Sequence, residues 1–384
     1  MSTTVARGFT AAGVVAGLKS TGKRDVALVV NEGPKFNAAG VFTSNRVKAA
    51  PVQWSQQVLT STGALKAVIL NSGGANACTG PDGFADTHHT AEYVAGKLGL
   101  GPIDVAVCST GLIGMRLPMD KIYAGVDAAV AELSADGGDN AALAIMTTDS
   151  VPKTASRKGT GYSIGGMAKG AGMLAPGLAT MLVVITTDAD VESDALDRAL
   201  RKATAHSFDR IDSDGCMSTN DTVLVLANGA SGEVPPMLEF ETLLAEVCAE
   251  LARKLIGDAE GSSKDIRIHV SAAANEAEAL DVARTISRSN LLKCAIHGED
   301  PNWGRVLSAI GTTSAEFDPD QVDVAINGVW VCRNGMTGDD RNLVDMSGRE
   351  VTITVALRAG DAEATLWTND LTATYVHENS AYSS

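Results

Sequence analysis

Short runs of β-branched and apolar residues, each closed by turn formers, recur along the 384-residue chain: Val26–Val30, Ala67–Leu70, Val105–Cys108, Met181–Thr187, Thr222–Ala227, Ile266–Val270, Val322–Ile326 and Val351–Ala356. Runs of this length and composition predict strands. Between several of them apolar positions recur at three- and four-residue spacing. That period predicts helices over Asp86–Lys97, Met119–Leu133, Ser193–Ser207, Met237–Ile256 and Glu276–Ser287. The mixture points to an α/β or α+β protein of layered sheets and helices. The strands at Thr222–Ala227 and after Val322 come without an intervening long helix. A regular doubly wound sheet or a TIM barrel is therefore not expected.

One stretch breaks the pattern. Gly159–Ala179 holds seven glycines and runs straight into the apolar segment Thr180–Asp188. This predicts a glycine-dense loop against a fully buried strand, suited either to a ligand cradle or to a strained connection. Gly170-Ala-Gly172-Met-Leu-Ala175 formally fits a GxGxxA dinucleotide fingerprint, but Pro176 and Gly177 follow at once. The helix whose N-terminus would hold the pyrophosphate is missing, so nucleotide binding is not expected here.

Composition narrows the functions. With 45% hydrophobic and 20% charged residues the chain is a globular protein, either one large α/β unit or roughly two domains. Its 46 acidic against 31 basic residues give a net charge of −15, and no basic stripe occurs. Nucleic acid and anionic membranes are thus poor partners, and small molecules are better ones. The acidity lies in the second half: residues 1–179 carry 15 Lys/Arg and 12 Asp/Glu, residues 180–384 carry 16 and 34. No apolar run approaches the roughly 18 residues of a membrane span, and the polar, Gly-broken start does not resemble a secretory leader, so a cytoplasmic location is expected.

The six cysteines include no CxxC pair, which predicts reduced and mostly buried thiols. No metal or cofactor is expected either. His88 and His89 are adjacent, which on a helix turns them about 100° apart. Arg210–Gly215 resembles a calcium loop but has Arg where its first carboxylate belongs. A GxSxG nucleophile elbow is absent.

Thr180 remains, and its residue type admits two readings. One is a β-branched residue opening a strand. In the other, the Thr180 hydroxyl attacks the preceding Ala179 carbonyl, shifts the acyl bond from N to O, and hydrolysis leaves Thr180 as a new N-terminus. A free α-amine, with an unperturbed pKa of about 7.7–8.0, could then act as base for its own hydroxyl.

Lys169–Ala189 (KGAGMLAPGLATMLVVITTDA) closely resembles the self-cleavage segment of the ornithine acetyltransferase, or glutamate N-acetyltransferase, family of arginine biosynthesis. Matching stretches span essentially the whole chain: Ala38–Val52, Asn71–Gly80, Cys108–Gly114, Met146–Lys153, Asp214–Val223, Asp258–Lys264, Glu299–Arg305 and Tyr375–Ser384. The resemblance implies cleavage between Ala179 and Thr180, with Thr180 as nucleophile and acetyl carrier. It implies an oxyanion hole at Thr110 and Gly111, and substrate contacts from Thr147, Lys169, Thr180, Glu260, Asn379 and Ser384. One division consistent with it pairs Glu260 with the ornithine amine and Lys169 with a carboxylate.

The implied reaction is ping-pong: N2-acetylornithine acetylates Thr180 and releases ornithine, then glutamate takes the acetyl group. No cofactor enters, and acetyl-CoA stays open as a second donor. The implied fold is a layered α/β sandwich of DmpA/ArgJ type, similar to N-terminal-nucleophile enzymes but differently connected. The implied assembly is a heterotetramer of chains 1–179 and 180–384.

The sequence departs from the family pattern at Gly74, Cys216 and Glu378, where many members have Asn, Asp and an apolar residue. The last neighbours Asn379 and bears on substrate preference. Two rivals remain at this point: an N-terminal-nucleophile amidohydrolase, and an uncleaved metabolite-binding protein.

Overall fold

A computed structural model describes residues 2–175 and 181–381. Ala179, Thr180 and Ser384 lie outside the described residues.

Three sheets organise the chain. The first has four strands in the order β1 (Phe9–Val14), β2 (Val26–Asn31), β4 (Ala67–Asn71), β5 (Val105–Ser109). The second has five, in the order β3 (Asn37–Phe42), β9 (Thr222–Ala227), β8 (Leu182–Thr187), β7 (Ser163–Lys169), β6 (Lys153–Lys158). The third has six: β13 (Met336–Thr337), β12 (Val329–Arg333), β11 (Asp323–Ile326), β14 (Glu350–Ala356), β10 (Asp265–Ala273), β15 (Ala362–Asn369). Pairings are mostly antiparallel, with parallel contacts at β4–β5, β8–β9 and β10–β14.

The helices are α1 (Ala50–Thr62), α2 (Gly80–Leu98), α3 (Met119–Ala131), α4 (Gly138–Ala144), α5 (Ser193–Ala205), α6 (Met237–Gly257), α7 (Glu276–Ser287), α8 (Asn290–His297), α9 (Trp303–Ile310) and α10 (Ala373–Ala381). None is long and apolar enough to cross a membrane.

The strand period of two explains the layering. In β4, Val68 and Leu70 enter the core shared with β8, whereas Ala67 and Ile69 face the core under α2 and α3. In β8, Leu182 and Val184 enter the shared core and Val183 and Ile185 pack beneath α5 and α6. Two sheets are thus stacked face to face with a helical layer outside each. The six-stranded sheet forms its own core against α7, α8 and α9. The expected layered α/β sandwich is what the chain adopts.

One expectation needs correction. Ser163–Lys169, assigned to the glycine-dense loop, is strand β7, paired with β6 on one side and β8 on the other. Its glycines serve packing: a Cβ on Gly165 would lie 2.2 Å from the Ser2 carbonyl oxygen. Only a residue without a side chain lets the N-terminal segment lie so close to this strand.

Candidate active site

The ends of β4 and β5 carry two chain segments that continue side by side past the sheet. Thr110 N–H donates to Asn71 O at 3.0 Å, Gly74 N–H to Thr110 O at 3.0 Å and Ala75 N–H to Leu112 O at 3.1 Å. Asn220 fastens this pair from the start of β9, its Nδ2 donating to Ala75 O (2.6 Å) and Ser109 O (2.8 Å). Gly111 sits at φ +132°, where a Cβ would come within 2.8 Å of Gly74 N. Both the conformation and the close approach require glycine there. The Gly111 N–H has no acceptor among the described residues.

Lys169, the last residue of β7, is buried and donates from Nζ to Thr110 Oγ1 at 3.3 Å. An ammonium only donates, so Thr110 Oγ1 accepts and its own hydroxyl proton is left for another acceptor. Burial lowers the Lys169 pKa, while the charges of Asp149, Asp221 and Glu260 oppose that shift. The result is a hydroxyl and a backbone N–H on adjacent residues, the kind of donor pair that stabilises a tetrahedral oxyanion.

Asp149 organises the next wall. Its Oδ1 accepts Lys153 Nζ (2.6 Å) and Gly170 N–H (2.7 Å), and its Oδ2 accepts Thr147 N–H (2.9 Å). Burial alone would raise its pKa, but the charges of Lys169 and Lys153 and the Gly170 N–H overcome this and hold it at about 2. Lys153 is fully buried between Asp149 and Asp258, 2.6 Å from each. Thr147 is therefore placed by a carboxylate held in its ionised form at neutral pH.

Gly170–Ala175 leads from this wall toward the Ala179–Thr180 position. Gly172 passes so close to Glu260 that a Cβ would meet its Oε2 at 2.7 Å. Glu260 N–H donates to Ala171 O (3.0 Å), and Asn379 Nδ2, from α10, donates to Glu260 Oε2 (3.0 Å). Met173 N–H donates to Asp214 Oδ2 at 2.7 Å and Ser213 N–H to Leu174 O at 2.6 Å. Burial raises the Asp214 carboxyl to about 6, against the pull of the Cys216 and Met173 N–H groups. On the far side, Met181 N–H donates to Oδ1 of the buried Asp221 at 3.0 Å. Burial pushes this carboxyl well above the ordinary range. Both described flanks of residues 176–180 are thus pinned by aspartate side chains whose pKa burial raises.

Gly111, Thr147 and Asp149 line a cleft of about 890 Å³, whose further wall is the Val15–Arg24 segment. The structure brings Thr110, Gly111, Thr147 and Lys169 together around Asp149. Glu260 and Asn379 meet each other on the Gly170–Leu174 segment. Sequence reasoning does not single out Asp149 and Lys19, and it reaches Asp214 and Asp221 only as parts of a near-calcium loop. Asp149 and Asp221 lie inside stretches that carried the resemblance, yet their roles depend on backbone N–H groups that no spacing reveals. The near-calcium loop holds its carboxylates otherwise, Asp212 pairing with Arg288 Nε at 2.7 Å and Asp214 accepting Met173. Among the described residues no three His, Cys, Asp or Glu side chains converge as a metal would require.

Known proteins match this chain closely in sequence. An arginine biosynthesis bifunctional protein ArgJ of Streptomyces coelicolor is 68% identical over 384 residues, covering 100% of both chains. One of Thermobifida fusca with the same name is 62% identical over 383 residues, again covering 100% of both. Among solved structures, an ornithine acetyltransferase of Mycobacterium tuberculosis complexed with ornithine is 61% identical, covering 47% of this chain and 96% of its own, with a TM-score of 0.45. The ArgJ family matches residues 10–384, and with that match and these identities the chain belongs to the ArgJ family.

Proposed function

We propose that the chain is an acetyltransferase of arginine biosynthesis that moves an acetyl group from N2-acetylornithine to glutamate through Thr180. The observation that carries the reading is the donor pair of the buried Thr110 and of Gly111, which lines a cleft, in a chain whose flanks of residues 176–180 are held by Asp214 and Asp221. The naming of 62–68% identical relatives as bifunctional proteins of arginine biosynthesis supports it.

In the maturation step, Thr180 Oγ attacks the Ala179 carbonyl carbon and the peptide C–N bond breaks to give an ester. Water then cleaves the ester, leaving the Ala179 carboxylate on residues 1–179 and a free α-amine on Thr180. In the transfer step that amine takes the Oγ proton as Oγ attacks the acetyl carbonyl. The oxyanion forms against Thr110 Oγ and Gly111 N–H, and the ornithine nitrogen leaves with the proton. Glutamate's neutral amine then attacks the acetyl ester, the Thr180 oxygen recovers a proton, and N-acetylglutamate departs. Glu260, steadied by Asn379, suits the side-chain ammonium of ornithine, with Ser384 and Thr147 as further contacts. Acetyl-CoA fits the same scheme as an alternative acetyl donor, and the two cleaved chains assemble as a heterotetramer.

Denaturing mass spectrometry of the purified protein tests the first half. Two masses meeting at Ala179/Thr180 are expected, and a single mass for Thr180→Ala. Normal cleavage of that variant would overturn the intramolecular attack. An acetyl-transfer assay tests the second half: glutamate-dependent release of ornithine is expected, and release that is indifferent to glutamate would favour an amidohydrolase instead.

A further inference from the structure

One wall of the cleft has no part in the scheme above. Asp25, fully buried at the start of β2, accepts the N–H groups of Ala16 (2.6 Å), Leu18 (2.6 Å) and Lys19 (3.0 Å), folding that segment over its carboxylate. The Asp25 carbonyl in turn accepts Ser72 N–H at 3.0 Å, which ties this wall to the segment beside Gly111. The half-buried Lys19 lines the cleft and donates from Nζ to Arg24 O (2.8 Å) and to Met146 O (2.6 Å), the carbonyl just before Thr147.

An ammonium has three N–H donors, and two are used here. The third has no acceptor among the described residues, and no described carboxylate lies within ion-pair distance of Nζ. The nearby carboxylates are committed, Asp25 to its three backbone N–H groups and Asp149 to Lys153, Gly170 and Thr147. Through space Asp25 and Asp149 attract the Lys19 ammonium, while Lys169 and Lys23 oppose it. The Arg24 guanidinium is directed to Gly13 O. Lys169 Nζ is directed to Thr110 Oγ1, and neither residue lines this cleft. The cleft therefore presents a fixed, partly desolvated cation with a spare donor, which Asp25 and Asp149 attract through space without any described carboxylate in contact with it. Burial lowers its pKa to about 8, a shift that an anion bound beside it would reverse.

We propose that Lys19 is the residue that recognises the α-carboxylate of the amino-acid substrates. The proposal rests on the acetyl-transfer reading. N2-acetylornithine and glutamate carry opposite side-chain charges, so a fixed cation that serves both half-reactions must address the group they share. That group is the carboxylate on the carbon bearing the acetylated nitrogen, close to the bond being made and broken. A charge-assisted hydrogen bond from Lys19 would orient the nitrogen and acetyl carbon relative to Gly111 and Thr147.

Equilibrium binding of ornithine and of ornithinamide, its α-amide, to the purified protein provides the test, alongside the acetyl-transfer assay. Lys19→Gln is expected to weaken ornithine by about 10- to 100-fold while leaving ornithinamide unchanged, and Lys19→Arg to recover part of the loss. In turnover, KM for N2-acetylornithine and for glutamate rises in Lys19→Gln with kcat little altered, and the preference for glutamate over its α-amide collapses. A variant that loses acid and amide equally, or keeps the full preference, overturns the role of Lys19. Wild-type protein that binds ornithine in preference to its amide yet transfers no acetyl group overturns the acetyl-transfer reading instead. Because the binding comparison is made within each variant, a partial loss of folded protein lowers both ligands together and does not imitate the expected result.

Discussion

At the scale of single residues, the site works by committing side chains so that one group on each is left over. Thr110 is the clearest instance: its backbone N–H goes to Asn71, its carbonyl to Gly74, and its Oγ1 accepts Lys169, leaving the hydroxyl proton. Thr110→Ala removes that donor while the Gly111 N–H stays. The expected result is a fall in kcat of about 100- to 1,000-fold with KM little changed. A variant with raised KM and normal kcat would contradict the oxyanion role. Asp149 is committed in the opposite sense, as a carboxylate kept ionised. Its folded pKa of about 2 lies below the unfolded value of about 3.9. Its contribution to stability is therefore complete above the unfolded value and is lost as pH falls from about 4 toward 2, amounting to roughly 2–3 kcal/mol. Urea unfolding followed across that window measures it, with Asp149→Asn expected to be less stable at neutral pH and to show a shallower acid slope. Equal slopes in the two proteins would place the acid sensitivity elsewhere.

At the scale of elements, β7 shows how a strand can be hidden in its own composition. Its sequence SIGGMAK has two consecutive glycines, which weaken a strand intrinsically, yet β6 and β8 pair with it on both edges. Gly165→Ala places a Cβ against the Ser2 carbonyl at 2.2 Å, a contact with backbone that cannot rotate away. A loss of about 1–3 kcal/mol is expected, read as a lower urea midpoint at constant slope. An unchanged midpoint would show that the N-terminal segment moves aside freely. The same physics separates the legible elements from the missed ones. Strands such as Thr222–Ala227 and Val105–Ser109 are β-branched or apolar at every position but the closing Ser109 and stand out. Phe9–Val14 (FTAAGV) and Asn37–Phe42 (NAAGVF) are built on Ala and Gly, whose strand character comes only from neighbours and close packing. The helix Ala50–Thr62 has Gln, Ser and Thr at many positions and a weak apolar stripe, so periodicity passes over it. The site divides in the same way. Family resemblance points to Thr110, Gly111, Thr147, Lys169, Glu260 and Asn379 as candidates. Lys19, Asp149 and Asp221 act through backbone partners 21 to 127 positions away, which only folding brings together.

At the scale of the whole molecule, the five-stranded sheet joins the segments on either side of the Ala179–Thr180 bond. β3, β6 and β7 belong to residues before it, β8 and β9 to residues after it, and β7 pairs with β8 from Ile164↔Thr187 to Lys169↔Leu182. A cut at that bond would therefore leave two chains sharing one hydrophobic core, inseparable without unfolding. Lys153 reinforces this seam from inside, since it pairs with Asp149 of its own segment and with Asp258 of the other. An ion triad in which Lys153 and Asp149 are fully buried and Asp258 is only 13% exposed differs in kind from exposed pairs such as Arg201–Asp197. Water screens the exposed pair, whereas loss of the Lys153 ammonium leaves carboxylates facing each other in a desolvated space. Lys153→Met is expected to destabilise the molecule by about 3–5 kcal/mol, and Arg201→Met to leave the urea midpoint essentially where it was. Because Asp149 also positions Thr147 and Gly170, the Lys153 variant should lose acetyl transfer along with stability, whereas the Arg201 variant should keep both. If Lys153→Met matched Arg201→Met in midpoint and activity, the seam would rest on the sheet and its core alone, and the buried triad would have no part in holding the two segments together.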